Sequence, residues 1–491
     1  MSDFSRAPVI HLAPVSLPPL CAPEARKWVL TTAILASSLG FIDGSVTSIA
    51  MPAMRASLAA SLVEAQWIGN AYLLALSALV LAGGAMGDRF GVARVFGAGI
   101  AVFVVASLVC AVAPTAGALI AARVVQGVGA ALMVPGSMAI IARAYPKAER
   151  GRALGIWAAA SAITTAAGPI LGGLLLTWGP DWSWRLIFAV NLPLGAFAIW
   201  ILATKVRADP SRPEIAIDMV GALLATAGLG LAAYALTDPG PRATVTLAAG
   251  AAALALFVLW EARAAHPMMR LGLFRDRGFS AANVATFFLY FALSAVLFFL
   301  PMTAISAWGA TEIEVTAAFV PLSVLIGALS TPAGRMADKI GAGPMIAGGS
   351  ALVGLAYGAL ALTAGEADFW GRAVPAMTVA GLGMALVVAP LSAGVMARVS
   401  EAEQGAASGI NNAVSRVAGL VAVALLGPVA ASAYAKAGGA ASFGEPGVAG
   451  AAHAAATSAG FGAVAGIAAA CALVAALAAA TGLRRERPEQ A

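Results

Sequence analysis

Charged residues are scarce in this chain of 491 residues. They make up 11% of it, whereas about 25% is usual for a soluble globular domain. Hydrophobic residues make up 61%, and the mean hydropathy is +0.90. This composition excludes a soluble enzyme and, because so much apolar surface must be buried, a disordered chain. It indicates a protein that is surrounded largely by lipid.

Cysteine and histidine are also rare, with three residues of each. Cys21, Cys110 and Cys471 lie far apart and follow neither a metal-binding nor a redox spacing. The histidines fall in a tail and two loops, so we expect no metal site. A glycine-rich phosphate-binding loop is absent, which leaves ATP-driven transport by this chain unsupported. The net charge of +6 does not indicate nucleic-acid binding in such a chain.

The sequence does contain a series of continuous apolar runs near 20 residues long. A run of this length crosses a bilayer as one α-helix. We therefore predict an all-α polytopic membrane protein with fourteen transmembrane helices. The predicted spans are 28–50, 66–86, 94–113, 116–141, 152–177, 185–204, 216–237, 244–261, 279–301, 315–333, 344–364, 372–396, 408–432 and 458–482.

The basic residues are distributed unevenly between the loops on the two sides. If the N-terminus is cytoplasmic, the inner loops and tails hold 22 of the 29 lysines and arginines, and the outer loops hold five. Cytoplasmic loops of membrane proteins carry this excess of positive charge. The asymmetry predicts a multi-pass protein of the cytoplasmic (inner) membrane, with both termini in the cytoplasm. The long outer loop 433–457 is rich in glycine and alanine and is expected to be mobile.

An internal repeat divides the chain into two halves. Residues 84–91 resemble 334–341, and 149–155 resemble 403–409, in both cases about 250 residues apart. Span 2 thus corresponds to span 10 and span 5 to span 13, which leaves two inserted helices between six-helix bundles. The Pro-rich N-terminal segment lacks the features of a signal peptide and is expected to be disordered. The predicted divisions are a cytoplasmic tail at 1–27, an N-terminal bundle at 28–204, the inserted helices with linkers at 205–262, a C-terminal bundle at 263–482 and a second tail at 483–491.

The repeat also indicates a function. The repeated loops fall on the same side of the membrane, so an axis along the membrane normal relates the halves. Two such bundles that meet at a midplane cavity can rock and open it to each side in turn. This predicts a transporter, although a duplicated channel or scaffold would show the same repeat.

The repeated loop after spans 2 and 10 is a candidate conformational latch. Its glycines permit a tight turn, and its aspartate can accept hydrogen bonds at the next helix start or pair with arginines across the halves. A short solvated turn is the simpler interpretation of one such loop, but the loop occurs twice. The latch candidates are Gly84, Gly87, Asp88, Arg89, Gly91, Asp338 and Lys339.

Asp43 is the one carboxylate deep inside an apolar span. An ionised carboxylate at that depth costs about 2.5–3.5 kcal/mol on insertion scales, so such residues are usually functional. We expect Asp43 to take up and release the coupling proton, although a permanent structural ion pair is the alternative. Arg123 in span 4 is its expected partner. A second interpretation makes Arg123 a clamp between helices.

Polar and aromatic residues within the spans are candidates for lining a substrate cavity, since drug sites combine apolar walls with a few polar groups. Each could equally form hydrogen bonds between helices. The candidates are Gln66, Trp67, Asn70, Tyr72, Gln126, Asn191, Asn283, Tyr290, Asn411 and Asn412. The C-terminal half has no deep carboxylate, so divalent cations are a less expected substrate. Lipophilic monovalent cations, neutral compounds and weak acids all remain open.

Six motifs resemble those of the fourteen-span drug:proton antiporters (EmrB/QacA type) of the major facilitator superfamily. They are the loop 84–91, the span 4 segment 119–131, the first-span segment 43–52, the segments 184–195 and 411–416, and a span 5 motif with Gly155, Gly168, Pro169, Gly172 and Gly173. We expect Gly168, Gly172 and Gly173 to let span 5 pack tightly against its counterpart across the halves. The resemblance implies the two-bundle fold of that superfamily, a part for Arg123 in proton transfer, and export. Thr164 stands where the span 5 motif has a glycine, and the signature loop has fewer basic residues than usual.

We therefore predict a proton-coupled secondary transporter, not an enzyme, that exports lipophilic small molecules by alternating access. Protons are the coupling ion, and no other cofactor is expected. The expected partners are a small lipophilic substrate and the lipid bilayer, and the sequence does not decide on an adaptor protein. Proton-coupled uptake by the same fold and a non-transporting membrane sensor are the alternatives.

Overall fold

A computed structural model describes residues 20–207, 209–212, 216–400 and 403–483. These residues form helices and no strand, and fourteen helices are long and apolar enough to cross a membrane, as predicted. In chain order they are α1 (Arg26–Leu58), α2 (Leu62–Phe90), α3 (Val92–Ala111), α4 (Ala116–Ala144), α5 (Lys147–Trp178), α6 (Ser183–Lys205), α7 (Met219–Thr237), α8 (Ala243–Glu261), α9 (Arg277–Ser306), α10 (Glu312–Ile340), α11 (Ala342–Thr363), α12 (Val374–Met396), α13 (Gln404–Lys436) and α14 (Ala451–Gly482). The side of the bundle on which α1 begins and α14 ends is called the terminus side below, and the opposite side the far side.

The predicted tails, 1–27 (expected to be disordered) and 483–491, lie mostly outside the described residues. Within the first tail, however, residues 20–27 are folded. Leu20 and Cys21 are 2% and 3% exposed, and the amide of Arg207 donates a hydrogen bond to the Leu20 carbonyl. Burial raises the pKa of the Cys21 thiol, which makes it an inert packing residue. The prediction of disorder is therefore wrong for this segment, because two apolar side chains anchor it to the bundle.

The long far-side loop between α13 and α14 is packed against the helix ends. Phe443 is fully buried, and the Tyr434 hydroxyl lies 2.8 Å from Nδ1 of His453 across the base of the loop. Arg55, at the far end of α1, donates hydrogen bonds of 2.9 and 2.8 Å to the carbonyls of Phe443 and Gly444. The loop is therefore anchored to the helix ends at these residues, and its mobility stays a prediction.

Glycines bring α2 and α4 into backbone contact in the N-terminal bundle. A Cβ atom on Gly83 would lie 2.1 Å from the Ala131 carbonyl oxygen, and one on Gly127 would lie 2.5 Å from the Tyr72 carbonyl oxygen. Only a residue without a side chain allows this approach. The close contact sets α4 against α2 near the middle of the membrane, where the charged residues of this bundle lie.

The two copies of the repeated loop have the same backbone conformation. Gly91 has φ +100° and ends α2, and Gly341 has φ +97° and ends α10; the next helix begins at the following residue in both cases. These φ angles are strained for any residue with a Cβ atom. The repeat seen in the sequence is therefore also a repeat of structure.

The two inserted helices pack on each other and lie beside the boundary between the halves. α7 contacts both α2 of the first half and α13 of the second, with Trp67 and Tyr234 tilted against each other at 6.4 Å. Trp67, Leu229 and Leu236 pack with Ala233, Leu420 and Ala424 in one apolar cluster. The inserted pair thus covers one of the two faces at which the halves meet.

The described polar contacts between the two halves lie towards the far side of the bundle. The amide of Ile313 donates a 2.9 Å hydrogen bond to Oγ1 of Thr177, which joins α10 to α5. Gln66 of α2 donates through Nε2 to the Val423 carbonyl of α13. Towards the terminus side, residues of α5 and α13 such as Gly155, Ile156 and Gly405 are exposed. These polar contacts therefore close the bundle towards the far side.

We predict that Gly127→Ala destabilises the protein, whereas Gly117→Ala on the same helix does not. The added methyl group at Gly127 meets backbone at 2.5 Å and should cost about 1–3 kcal/mol or more, while a Cβ on Gly117 has nothing within 4 Å. Thermal unfolding in detergent, followed by tryptophan fluorescence, measures the difference. Equal unfolding temperatures for the two variants would contradict the close approach of α2 and α4.

Candidate functional site

An ion pair lies in the interior of the N-terminal bundle. Asp43 is on α1 and Arg123 on α4, and Nη1 of Arg123 donates a 2.6 Å hydrogen bond to Oδ2 of Asp43. The two residues are 3% and 2% exposed. A buried charge needs a partner of opposite sign and further hydrogen bonds to offset the loss of water. The two residues proposed from the sequence as the proton-coupling pair are therefore in direct contact.

A third residue completes the coordination of the pair. Gln126, one turn after Arg123, accepts a 2.6 Å hydrogen bond from the arginine and donates one of 3.0 Å to Oδ1 of Asp43. It also donates to Ser107 on α3, which accepts a second bond from Nδ2 of Asn191 on α6. The network spans four helices of one bundle. Gln126 and Asn191, proposed as substrate contacts, belong to this network.

Aromatic rings enclose the arginine. The guanidinium carbon of Arg123 lies 4.5 Å from the ring centroid of Tyr72 and 5.7 Å from that of Phe188. Its Nε donates to the Ile68 carbonyl on α2. A guanidinium between aromatic faces keeps favourable electrostatic contact without water. Arg123 therefore serves both as clamp and as charge partner, the two interpretations that the sequence left open.

The span 5 motif packs on the turn of α1 that carries Asp43. A Cβ on Gly168 would lie 2.5 Å from the Ser45 hydroxyl oxygen, and one on Gly172 would lie 2.6 Å from Val46. Gly173 alone faces the other half, where its Cβ would lie 3.0 Å from Cα of Ile313 on α10. The expectation that all three glycines face the span 5 counterpart across the halves is wrong. These glycines pack on α1 and α10 instead. In the repeat α5 corresponds to α13, but the helix of the second half that α5 contacts is α10.

The remaining residues of this motif have simpler surroundings. Gly155 has open space around it, and Pro169 lies within a continuous α5. Thr164, which stands where the resembled motif has a glycine, donates to the carbonyls of Ala160 and Ser161 in its own helix. Its hydroxyl is thus satisfied without disturbing the packing.

The latch loop is held by a residue that the sequence did not single out. Asp209, in the linker after α6, accepts hydrogen bonds of 3.0 and 3.2 Å from the amides of Val92 and Ala93 and forms a 2.9 Å ion pair with Arg143. It is 2% exposed. Asp209 therefore takes the helix-capping role proposed for Asp88. No apolar periodicity marks a linker residue, so only the fold could identify it.

Asp88 itself is exposed, and its charged neighbours are Arg143 and Arg212. Both belong to the N-terminal half or its linker, so the proposed pairing across the halves is not formed in this structure. Gly84 and Gly87 face Pro135 and Val92 at van der Waals distance. The equivalent loop of the second half carries Asp338 and Lys339, both of which are exposed. Arg89, in the loop of the first half, is half-buried.

The other proposed substrate contacts are dispersed. Gln66 joins α2 to α13, and Trp67 faces the inserted helix α7, so neither lines a central cavity. Asn70 is fully buried, and its amide atoms have no hydrogen-bond partner among the described residues. In the second half, Asn411 donates to Asn283 at 3.3 Å and also to Thr286. These two asparagines are hydrogen-bonding links between α9 and α13.

Tyr290 and Asn412 remain as half-buried residues on α9 and α13. Both lie on the C-terminal side of the boundary between the halves, and Tyr290 is within electrostatic range of Arg416. Tyr72, on α2 across the boundary, is also within electrostatic range of Arg416. The sequence had noted Arg416 only as part of a motif.

Comparison with known proteins agrees with this architecture. Residues 33–423 match the family model of the Major Facilitator Superfamily. The chain is 31% identical over 420 residues to the multidrug resistance protein Stp of Mycobacterium tuberculosis, with 83% of this chain and 76% of the relative covered. It is 32% identical to a methylenomycin A resistance protein of Streptomyces coelicolor (81% and 85% covered) and to a puromycin resistance protein of Streptomyces alboniger (88% and 87% covered).

Solved structures show the same fold at lower identity. A bacterial homologue of the human lysosomal transporter Spinster, in an inward-facing and occupied conformation, aligns with a TM-score of 0.68 at 16% identity, covering 95% of this chain and 100% of the other. A D-xylose–proton symporter aligns with a TM-score of 0.65 at 16% identity, covering 93% and 98%.

We predict that Asp43→Asn and Arg123→Gln each destabilise the protein by about 3–5 kcal/mol, because each leaves one buried charge without its partner. The double variant should be closer to the wild type than either single variant. The matched control is the exposed pair Glu366–Arg372, whose side chains are 48% and 52% exposed and whose coupling should be about 0–1 kcal/mol. Thermal unfolding of the four variants of each pair gives both coupling energies, and additive effects at Asp43 and Arg123 would contradict the ion pair.

We further predict that Asp209→Ala frees the start of α3. The amides of Val92 and Ala93 have the Asp209 carboxylate as their hydrogen-bond acceptor, and loss of such a cap costs about 1–2 kcal/mol. Hydrogen exchange measured by mass spectrometry should show faster exchange in the peptide that contains them. Asp238→Ala, at an exposed far-side loop, is the control and should leave that peptide unchanged. Unchanged protection in Asp209→Ala would refute the capping role.

Proposed function

Because the chain belongs to the major facilitator superfamily and is a multi-pass membrane transporter, we propose that it exports lipophilic small molecules in exchange for protons by alternating access. The observation that carries this proposal is the buried ion pair of Asp43 and Arg123. An ionisable group in a membrane core is costly and is retained where it serves transport. The carboxylate keeps its charge while Arg123 stays at 2.6 Å, and it takes up a proton when the arginine moves away.

The packing of α5 supports coupling of that proton to the movement of the halves. α5 contacts the Asp43 turn of α1 through Gly168 and Gly172, and it contacts α10 of the other half through Gly173. A change in the charge state of Asp43 alters the packing of α1, and α5 passes that change to α10. Rocking of one bundle against the other is how two-bundle transporters open their site to each side.

A groove at the other face where the halves meet supports the proposal of a lipophilic substrate. A groove of about 520 Å³ lies between α5 and α10, and its walls include Ile163, Ile170, Val320 and Val324. It faces the surface that lipid covers in a membrane. An apolar compound dissolved in the bilayer can enter there without crossing a polar barrier.

The names of the relatives support export as the direction of transport. Several are named for resistance to an antibiotic, and one from Streptomyces glaucescens is named as a tetracenomycin C resistance and export protein. Export from a cell fits a structure closed on the far side, if the terminus side is cytoplasmic as the distribution of basic residues predicts. The inner membrane is the corresponding location.

Inverted membrane vesicles with an acidic lumen and a pH-sensitive dye test the proposal. Addition of a transported compound should release protons from the lumen of wild-type vesicles. Asp43→Asn should abolish that release, because an amide cannot carry the proton. The control Asp238→Asn makes the same chemical change at an exposed residue outside the bundle and should behave as the wild type.

Three other results would each contradict a part of the proposal. Release of protons by Asp43→Asn at the wild-type rate would place the proton site elsewhere. Compound-driven acidification of the lumen would indicate uptake with a proton instead of export. A lack of response to lipophilic cations, neutral compounds and weak acids alike, with folded protein in the vesicles, would reject lipophilic antiport.

A further inference from the structure

The charges deep inside the membrane do not balance. Among the described residues, three charged side chains lie well within their helices: Asp43 on α1, Arg123 on α4 and Arg416 on α13. Asp43 and Arg123 neutralise each other at 2.6 Å. Arg416 is left with a positive charge near the middle of α13, twelve residues from its first turn at Gln404.

The structure gives this arginine no counter-ion. In the part of the chain that is described, Arg416 forms no ion pair or hydrogen bond, and its buried Nε has no acceptor. The side chain is half-buried, and its electrostatic neighbours Tyr72 and Tyr290 belong to different halves, which places it near their boundary. A guanidinium with five N–H donors in a low-dielectric region is costly until an anion binds to it.

The surroundings of Arg416 are aromatic and polar on both sides of the boundary. Tyr72 of the first half and Tyr290 of the second are both within electrostatic range of it. Asn412 lies one turn before Arg416 on the same face of α13, and its half-buried amide has no bond among the described residues. Asn411 fixes this part of α13 to α9 through Thr286.

Tyr72 joins this region to the proton site. Its ring lies against Arg123 at 4.5 Å, and its hydroxyl is within range of the charges of Asp43, Arg123 and Arg416 together. An anion bound to Arg416 would therefore lie beside the Asp43–Arg123 pair.

We propose that Arg416 binds the acidic group of the transported compound, so that the preferred substrates are lipophilic organic anions such as aromatic carboxylates and ionised phenols. This inference rests on the proposed function and narrows its substrate class. Arginine offers a carboxylate two parallel hydrogen bonds, and the neighbouring tyrosine rings offer aromatic contacts to a ring system. Lipophilic cations are disfavoured, since they would meet two arginines and one carboxylate that is already paired.

Three probes of one size test this preference: pyrenebutyrate, its methyl ester, and the matching pyrenebutyl trimethylammonium. Energy transfer from the tryptophans of the purified protein to pyrene reports binding without any need for transport. The wild type should bind the carboxylate at least about tenfold more tightly than the ester, as expected for a hydrogen-bonded charge pair. The cation should bind most weakly.

Arg416→Gln should remove the preference for the carboxylate while the ester binds as before. Arg416→Lys, which keeps the charge but not the two parallel bonds, should retain part of it. Arg372→Gln makes the same chemical change at an exposed ion pair and should match the wild type. Retained selectivity in Arg416→Gln, tighter binding of the cation by the wild type, or absence of binding by all three probes would overturn the proposal.

The vesicle assay separates this inference from the proposed function. Selective binding of pyrenebutyrate without proton release would support the Arg416 site and reject proton antiport of that compound. Proton release driven by cations, unaffected by Arg416→Gln, would support antiport and reject an anionic substrate.

Discussion

Lipid cannot hydrate a charge, and the arrangement of this protein depends on that constraint. Asp43 and Arg123 offset each other's desolvation cost at 2.6 Å, with Gln126 bonded to both. Four helices contribute to the network around them, so the pair also fixes the relative positions of those helices. The same contacts that stabilise the N-terminal bundle thus hold the carboxylate that we propose as the proton carrier.

The helices around the pair are joined by small residues instead of large ones. Glycine at positions 83 and 127 brings α2 and α4 to backbone contact, and Gly168 brings α5 against the turn that carries Asp43. In lipid, burial of apolar surface does not favour helix association, so close packing and hydrogen bonds must provide it. Close packing also makes the bundles stiff, so that a local change at Asp43 moves a helix as a unit.

The two halves share a fold but differ in charge. The N-terminal half contains a neutralised pair, while the C-terminal half presents Arg416 without a described partner. Tyr72 lies between them. A transporter whose two halves carry different parts of the task can bind cargo on one half and the coupling ion on the other, and the contact between them links the two events.

The sequence by itself determined the number of spans, the repeat and the identity of the charged pair. Span length depends on bilayer thickness, and a lone carboxylate such as Asp43 is conspicuous in an apolar run. Which residues meet could not be predicted, because a helix that is apolar all round does not reveal which face turns inward. Only the tertiary structure showed that Trp67 faces α7 and that Gly173 meets α10. It also showed that Asp209 caps α3 and that Nε of Arg416 has no hydrogen-bond partner among the described residues. Those outcomes depend on the rotation of each helix about its axis, which is set by packing against neighbours distant in the chain.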